Sequence, residues 1–159
     1  MNEILRLLEE DGRYTAEEIA SMTGKETQEV RETIAKYEKD HVINGYTALV
    51  DWDRTGEEAV TAYIEVKITP QRDEGFDRIA QRIYQYDEVE SLYLMSGAFD
   101  LGVTITGRSL KDIARFVYEK LAPIDGVRST ATYFILKKYK EKHRAFHTEP
   151  EQEERILFV

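Results

Sequence analysis

Near residue 58 the apolar residues of this chain change period, from the three-to-four spacing of helices to strict alternation. A fold for this sequence has to house both patterns, one after the other. In the first part, Ile4-Leu5-Arg6-Leu7-Leu8 opens an amphipathic helix and Asp11-Gly12-Arg13-Tyr14 breaks it. Thr15-Ala16-Glu17-Glu18 predicts a second helix with a capping box: the Thr15 hydroxyl accepts from the Glu18 amide, and the Glu18 carboxylate accepts from the Thr15 amide. Ile19 and Ala20 carry its apolar face on to Met22. Gly24 then turns the chain into a third helix with Val30, Ile34 and Tyr37 on one side. Two helices joined by a short Gly-containing turn, the second amphipathic, form the helix-turn-helix pattern.

The second part begins after a β-prone stretch, Val42 to Val50, and a polar linker, Asp51 to Glu58. Val60, Ala62, Ile64, Val66 and Ile68 alternate with polar residues and predict a half-buried strand that Pro70 stops. Phe76, Ile79, Ala80, Ile83 and Tyr84 return to helical spacing. Val89–Met95 and Asp100–Thr106 read as strands around the turn Ser96-Gly97-Ala98-Phe99. Ser109 is placed to cap a helix bearing Leu110, Ile113, Ala114, Val117 and Leu121, and Val127–Lys138 reads as a last strand. The order is βαββαβ, a ferredoxin-like unit with two helices on one face of a four-stranded antiparallel sheet.

The expected fold class is therefore α+β: a winged-type helix-turn-helix domain at residues 1–46, a linker strand and loop at 47–58, a ferredoxin-like domain at 59–139 and a tail at 140–159. The second sheet face also carries apolar and aromatic side chains, which points to homodimerisation through it. The apolar end Arg155-Ile156-Leu157-Phe158-Val159 is expected to pair along a sheet edge.

Composition removes several alternatives. The chain has 159 residues, 42% hydrophobic, and no apolar run long enough for a membrane span. With no cysteine, a disulfide framework, a thiolate metal site and a Cys nucleophile are out of reach. No basic-then-apolar leader opens the sequence, so a cytoplasmic location is expected. No catalytic triad, P-loop or dinucleotide-binding turn stands out, and no enzymatic activity or cofactor is expected. Charge cuts against the first domain: residues 1–45 hold 6 Lys and Arg against 11 Asp and Glu, a net charge of −5. Non-specific DNA affinity comes from neutralising phosphates. A segment this acidic binds DNA only through local placement of its cations, or weakly per subunit with help from multivalency.

On the third helix, Gln28, Glu29, Arg31, Glu32 and Lys36 face outward. Gln and Arg can meet adenine and guanine edges, Glu can accept from cytosine N4, and Lys25, Lys36 and Lys39 suit phosphates. The bland reading is a solvated helix laced by i,i+4 pairs such as Glu32–Lys36. Gly97 and Asp100 are ordinary hairpin residues, yet their amides and carboxylate could receive the two charged ends of an amino acid. Thr130 and Thr132 share one face of the last strand and could add hydroxyls, although Thr on strands is commonly β-propensity alone. His143 and His147 have the spacing of a metal pair but no third ligand, so no metal site is expected. Trp52 reads as a packing anchor for the linker.

Five stretches, in order, resemble the Lrp/AsnC (feast/famine) family: Ile4 to Gly12, Glu18-Ile19-Ala20 before Gly24, His41-Val42-Ile43-Asn44-Gly45-Tyr46, Ser96-Gly97-Ala98-Phe99-Asp100, and Gly126-Val127-Arg128-Ser129-Thr130-Ala131-Thr132. The third is similar to the family's G-V-I-x-G-Y with His41 replacing Gly, the fourth to its G-x-x-D hairpin. The resemblance implies a DNA-binding transcriptional regulator that forms dimers and octamers and responds to an amino acid bound between dimers at the hairpin. It implies Gly97, Ala98, Phe99 and Asp100 as effector residues; Thr130 and Thr132 are added as candidate contributors from their shared strand face. Two departures stand out. The turn Gly24-Lys25-Glu26 puts Glu, a poor cap, where the family commonly has Ser, and the third helix is less basic than usual. Two rival readings share the architecture: an effector-binding scaffold that has lost DNA binding, and an enzyme of the tetrapyrrole decarboxylase kind.

Overall fold

The computed structural model describes residues 2–69 and 75–146. They fall into two units, 1–49 and 50–159.

The first unit is three helices, α1 Glu3–Glu10, α2 Ala16–Thr23 and α3 Thr27–Lys39. Their ends follow local chemistry. Asn2 caps α1 by accepting from the Ile4 amide at 3.1 Å. The capping box forms as the sequence predicts, with the Glu18 amide donating to Thr15 Oγ1 at 3.2 Å and the Thr15 amide donating to Glu18 Oε2 at 2.8 Å. Gly24 ends α2 in the left-handed region at φ 68°, a conformation that costs glycine nothing. Glu26 starts α3 without a side-chain cap, as its residue type suggests.

The core of this unit is small: Ile4, Ile19, Ala20 and Val30 are buried, with Leu7, Leu8, Tyr14, Ala16 and Ile34 packed around them. Met22 lies outside it, half exposed. Tyr37 is half-buried and takes a hydrogen bond from the Asn2 side chain. No strand is found in this unit among the described residues, so the expected wing is missing. The β-prone residues 42–50 likewise form no strand, because a strand is stable only when a neighbour pairs with its amides and carbonyls. Val42, Tyr46, Leu49 and Val50 are left exposed.

In the second unit, a short 3-10 turn at Trp52–Arg54 leaves Trp52 46% exposed. The expected βαββαβ order follows: β1 Val60–Ile68, α4 Asp77–Tyr84, β2 Val89–Leu94, β3 Leu101–Gly107, α5 Leu110–Phe116 and β4 Val127–Phe134. The sheet order is β2-β3-β1-β4, with every neighbouring pair antiparallel. Alternate residues of β1 and β3 (Ala62, Ile64, Val66, Leu101, Val103 and Ile105) pack against Ile79 and Ile83 of α4 and Ile113 and Phe116 of α5. Ser109 caps α5 through the Asp112 amide at 3.2 Å.

The sequence reading of α5 needs one correction. Leu110 and Ala114 are exposed, while Phe116 takes the core position. A π-turn at Val117–Leu121 then shifts the phase and turns Leu121 inward. β4 is also shorter than expected, ending at Phe134. A small hairpin follows, β5 Lys140–Glu141 and β6 Arg144–Ala145, turning on Lys142 and His143 at positive φ. The apolar end 155–159, and His147 of the histidine pair, lie outside the described residues.

Candidate functional site

Two surfaces carry the residues singled out from the sequence. The first is the outer side of α3, where burial of Val30 and Ile34 against the core turns the intervening residues outward. Lys25, Gln28, Glu29, Arg31, Glu32 and Lys36 are all exposed there. Three of them are held by carboxylates. Lys25 Nζ donates to Glu29 Oε1 at 2.6 Å, and Gln28 Nε2 to Glu32 Oε1 at 2.8 Å, both across one helical turn. Arg31 Nη2 instead reaches across to Glu17 on α2. Glu32, which the bland reading paired with Lys36, takes its hydrogen bond from Gln28 instead.

The ion pairs show in the protonation equilibria. The Lys25 ammonium is held above its ordinary value, first by its hydrogen bond to Glu29. The Glu17 carboxyl is held below the usual range, first by its own backbone amide at the start of α2 and then by Arg31. Glu17 was not among the residues forecast. Its place beside Arg31 depends on how α2 packs on α3, which no local spacing encodes.

The second surface is the turn between β2 and β3. Gly97, Ala98, Phe99 and Asp100 lie together in it, as expected. Asp100 is tied into the sheet: its amide donates to the Val66 carbonyl at 3.0 Å, and its carbonyl accepts from the Met95 amide at 2.8 Å. Its Oδ2 accepts from the Ile68 amide at 2.8 Å, where the β1–β4 register slips between Lys67 and Ile68. The carboxylate thus satisfies an amide that the bulge leaves without a ladder partner. The Phe99 ring stands edge-on to Tyr63, centroids 6.2 Å apart.

Gly97 has an ordinary backbone φ, and a Cβ added to it would meet nothing within 4 Å. Among the described residues, neither a positive φ nor packing requires glycine there. Thr130 and Thr132 pair with Val66 and Ile64, so they share the helix-covered face, half-buried. Tyr63, and Phe99 with it, belongs to the opposite face. Within one subunit the two threonines are therefore not gathered with Phe99.

Beside the hairpin, a groove of about 280 Å³ runs between α4 and β2. Phe76, Tyr84, Leu92 and Leu94 form apolar walls, with Asp77 and Glu90 among its lining. Leu94 and Leu101, the strand pair that opens the hairpin, border it. Among the described residues no cluster of three or more His, Asp and Glu could hold a metal ion, and no helix is long and apolar enough to cross a membrane.

A three-helix unit with an exposed polar face on α3, joined to a βαββαβ unit, defines a two-part regulator: one part for DNA, one for a ligand. The chain belongs to the Lrp/AsnC family of transcriptional regulators. The AsnC-type helix-turn-helix domain matches residues 2–38 and the Lrp/AsnC ligand binding domain matches residues 61–145. The "Uncharacterized HTH-type transcriptional regulator YugG" of Bacillus subtilis (strain 168) is 52% identical over 147 residues, 92% of this chain and 89% of that protein.

Among solved structures, a transcriptional regulator from Neisseria meningitidis in complex with L-Met superposes with a TM-score of 0.70 at 23% identity, covering 87% of this chain and 89% of that one. The feast or famine regulatory protein of M. tuberculosis complexed with L-methionine gives 0.71 at 23%, covering 89% and 92%. At such identities the likeness establishes the fold. The matched domains and the relatives' names support the regulator over both rival readings, the scaffold without DNA binding and the decarboxylase-like enzyme.

Proposed function

We propose that this regulator reads a DNA site with Lys25, Gln28, Glu29, Arg31, Glu32 and Lys36 of the α3 face, and is switched by an amino acid at the hairpin Ser96–Asp100. It works without chemistry of its own, in the cytoplasm, as a homodimer that assembles further to an octamer. The observation that carries the effector reading is Gly97. A glycine needed by neither φ nor packing leaves its amide open to close approach from outside the chain. A zwitterion needs donors for its carboxylate and an acceptor for its ammonium. The hairpin amides offer the first, and Asp100, with Oδ2 given to Ile68, keeps Oδ1 for the second.

The adjoining groove favours an effector with an apolar side chain. Methionine, bound by the two neighbours above, has such a side chain. Thr130 and Thr132 remain contributors only if a neighbouring subunit brings its β4 to the hairpin.

Dimerisation through the open sheet face rests on the side chains it presents. Tyr63, Tyr93 and Tyr133 stand there, the last two more than half exposed, around Gly102 and Ala131.

The test is calorimetric titration of the wild type with each of the twenty amino acids, repeated with Asp100→Asn. Asparagine keeps an acceptor for the Ile68 amide and loses the charge, so the hairpin survives while the ammonium partner is gone. One apolar amino acid should bind the wild type, and Asp100→Asn should lose it. Equal binding to both proteins, or none to the wild type, removes the site.

A further inference from the structure

Arg31 is held differently from the other donors of the α3 face. Gln28 is satisfied one turn along its own helix, and Lys25, in the turn before α3, by a residue of the first turn of α3, contacts that are local in sequence. The Arg31–Glu17 pair joins two helices and involves a residue at the second position of α2. Glu17 is set there by the capping box of Thr15 and Glu18 on either side of it. We propose that Glu17 is a positioning residue for DNA recognition: it clamps the Arg31 guanidinium in the orientation that offers its fork to a guanine edge and withholds it from phosphates. This rests on the reading that α3 meets DNA.

The chemistry follows from the two groups. A guanidinium has five N–H donors in one plane. The bond to Glu17 uses Nη2, so donors remain for O6 and N7 of guanine. A mobile Arg serves any phosphate within reach, while a clamped one serves the site that fits its plane. The Glu17 carboxylate also repels phosphates directly. In a segment whose net charge is already −5, this leaves little sequence-independent attraction, so discrimination rests on directed contacts. The ionised state of Glu17, favoured by its own amide and by Arg31, keeps the clamp in place.

The test uses the full-length protein and two probes: a duplex recovered by the wild type from a randomised pool, and a scrambled duplex of the same composition. Affinities are measured by fluorescence anisotropy over a salt series. Glu17→Gln should bind the scrambled duplex about two- to five-fold more tightly, the scale of one exposed ion pair released. Its log K against log salt should steepen by up to about 0.9, one added phosphate contact. Affinity for the recovered duplex should stay level or fall, so the preference narrows.

Glu17→Asp keeps the charge and shortens the reach. It should narrow the preference as well, and wild-type discrimination in this variant overturns the clamp. Glu17→Gln shifting both duplexes equally, or neither, overturns it too. Arg31→Ala separates the two claims. If it weakens the recovered duplex selectively while the Glu17 variants do nothing, the clamp alone fails. If Arg31→Ala binds both duplexes like the wild type, the α3 reading falls and the clamp with it.

Discussion

The two units solve opposite problems. Among the described residues the helical unit buries four and spends its surface on charge, with the forecast donors Lys25, Gln28 and Arg31 each matched to a carboxylate. Among the described residues the sheet unit buries thirteen hydrophobic residues in one cluster and presents Tyr63, Tyr93 and Tyr133 on the sheet face away from its helices. A domain that meets a polyanion can hold Lys25 and Gln28 in exposed pairs that exchange readily, while the pair between helices keeps Arg31 beside Glu17. A domain that must hold an assembly together keeps apolar area in reserve. On the proposed reading, discrimination sits in the polar contacts of the helical unit, and association and ligand response sit in the sheet unit.

The largest effect should separate the two cores. Ile64→Ala empties a fully buried site on a central strand and should cost about 2–5 kcal/mol. Ile19→Ala removes one of the four residues buried in the small core of the helical unit among the described residues and should cost a similar amount, enough to unfold that unit alone. Calorimetric melting checks this. Ile19→Ala should lose DNA binding while the sheet unit's transition stays in place, and one merged shift in both variants would join the units that the comparison separates.

Next comes the open face. A Cβ at Gly102 would sit 2.2 Å from the Tyr63 hydroxyl, so Gly102→Ala must push that ring out of place. The expected outcome is a dimer weakened by about 1–3 kcal/mol, seen by sedimentation as a rise in 18.5 kDa species. Undisturbed assembly would move the interface away from this face.

On the helical unit the effects should be selective rather than large. Arg31→Ala should cost about 1–3 kcal/mol at a preferred duplex, and Lys36→Ala should weaken all duplexes alike. A loss of equal size on every duplex for both variants would make the face a plain electrostatic surface.

The smallest effect is a gain. His41 follows α3 at φ 55°, where the family motif has Gly. His41→Gly should stabilise the helical unit by about 0.5–1 kcal/mol by relieving the left-handed backbone, read as a raised melting temperature.

Local chemistry was legible in the sequence. The capping box at Thr15 and Glu18, the Gly24 turn and the Ser109 cap all form where their residue types and spacings place them. The alternation from Val60 to Ile68 gave β1 its buried face, and the element order gave the sheet. What failed depended on partners distant in sequence. Residues 42–50 are β-prone, but propensity forms no strand without a neighbour to pair with.

The face of Thr130 and Thr132 was ambiguous because both sides of β4 mix apolar and polar residues; the register with Ile64 and Val66 decides it. The Arg31–Glu17 pair and the Asp100–Ile68 bond are also products of packing and register. The turn residues of the candidate site could be read from sequence, while the roles of Asp100 and Glu17 within the fold could not.

The central claim is that a ligand at the hairpin governs DNA binding by α3. The direct measurement is the anisotropy titration of a preferred duplex with the wild type and Asp100→Asn, each without and with the amino acid that binds the wild type. The amino acid should shift the wild-type midpoint, and Asp100→Asn should bind DNA like the unliganded wild type and not respond. A wild type that no amino acid shifts, or an Asp100→Asn protein that shifts equally, would contradict it.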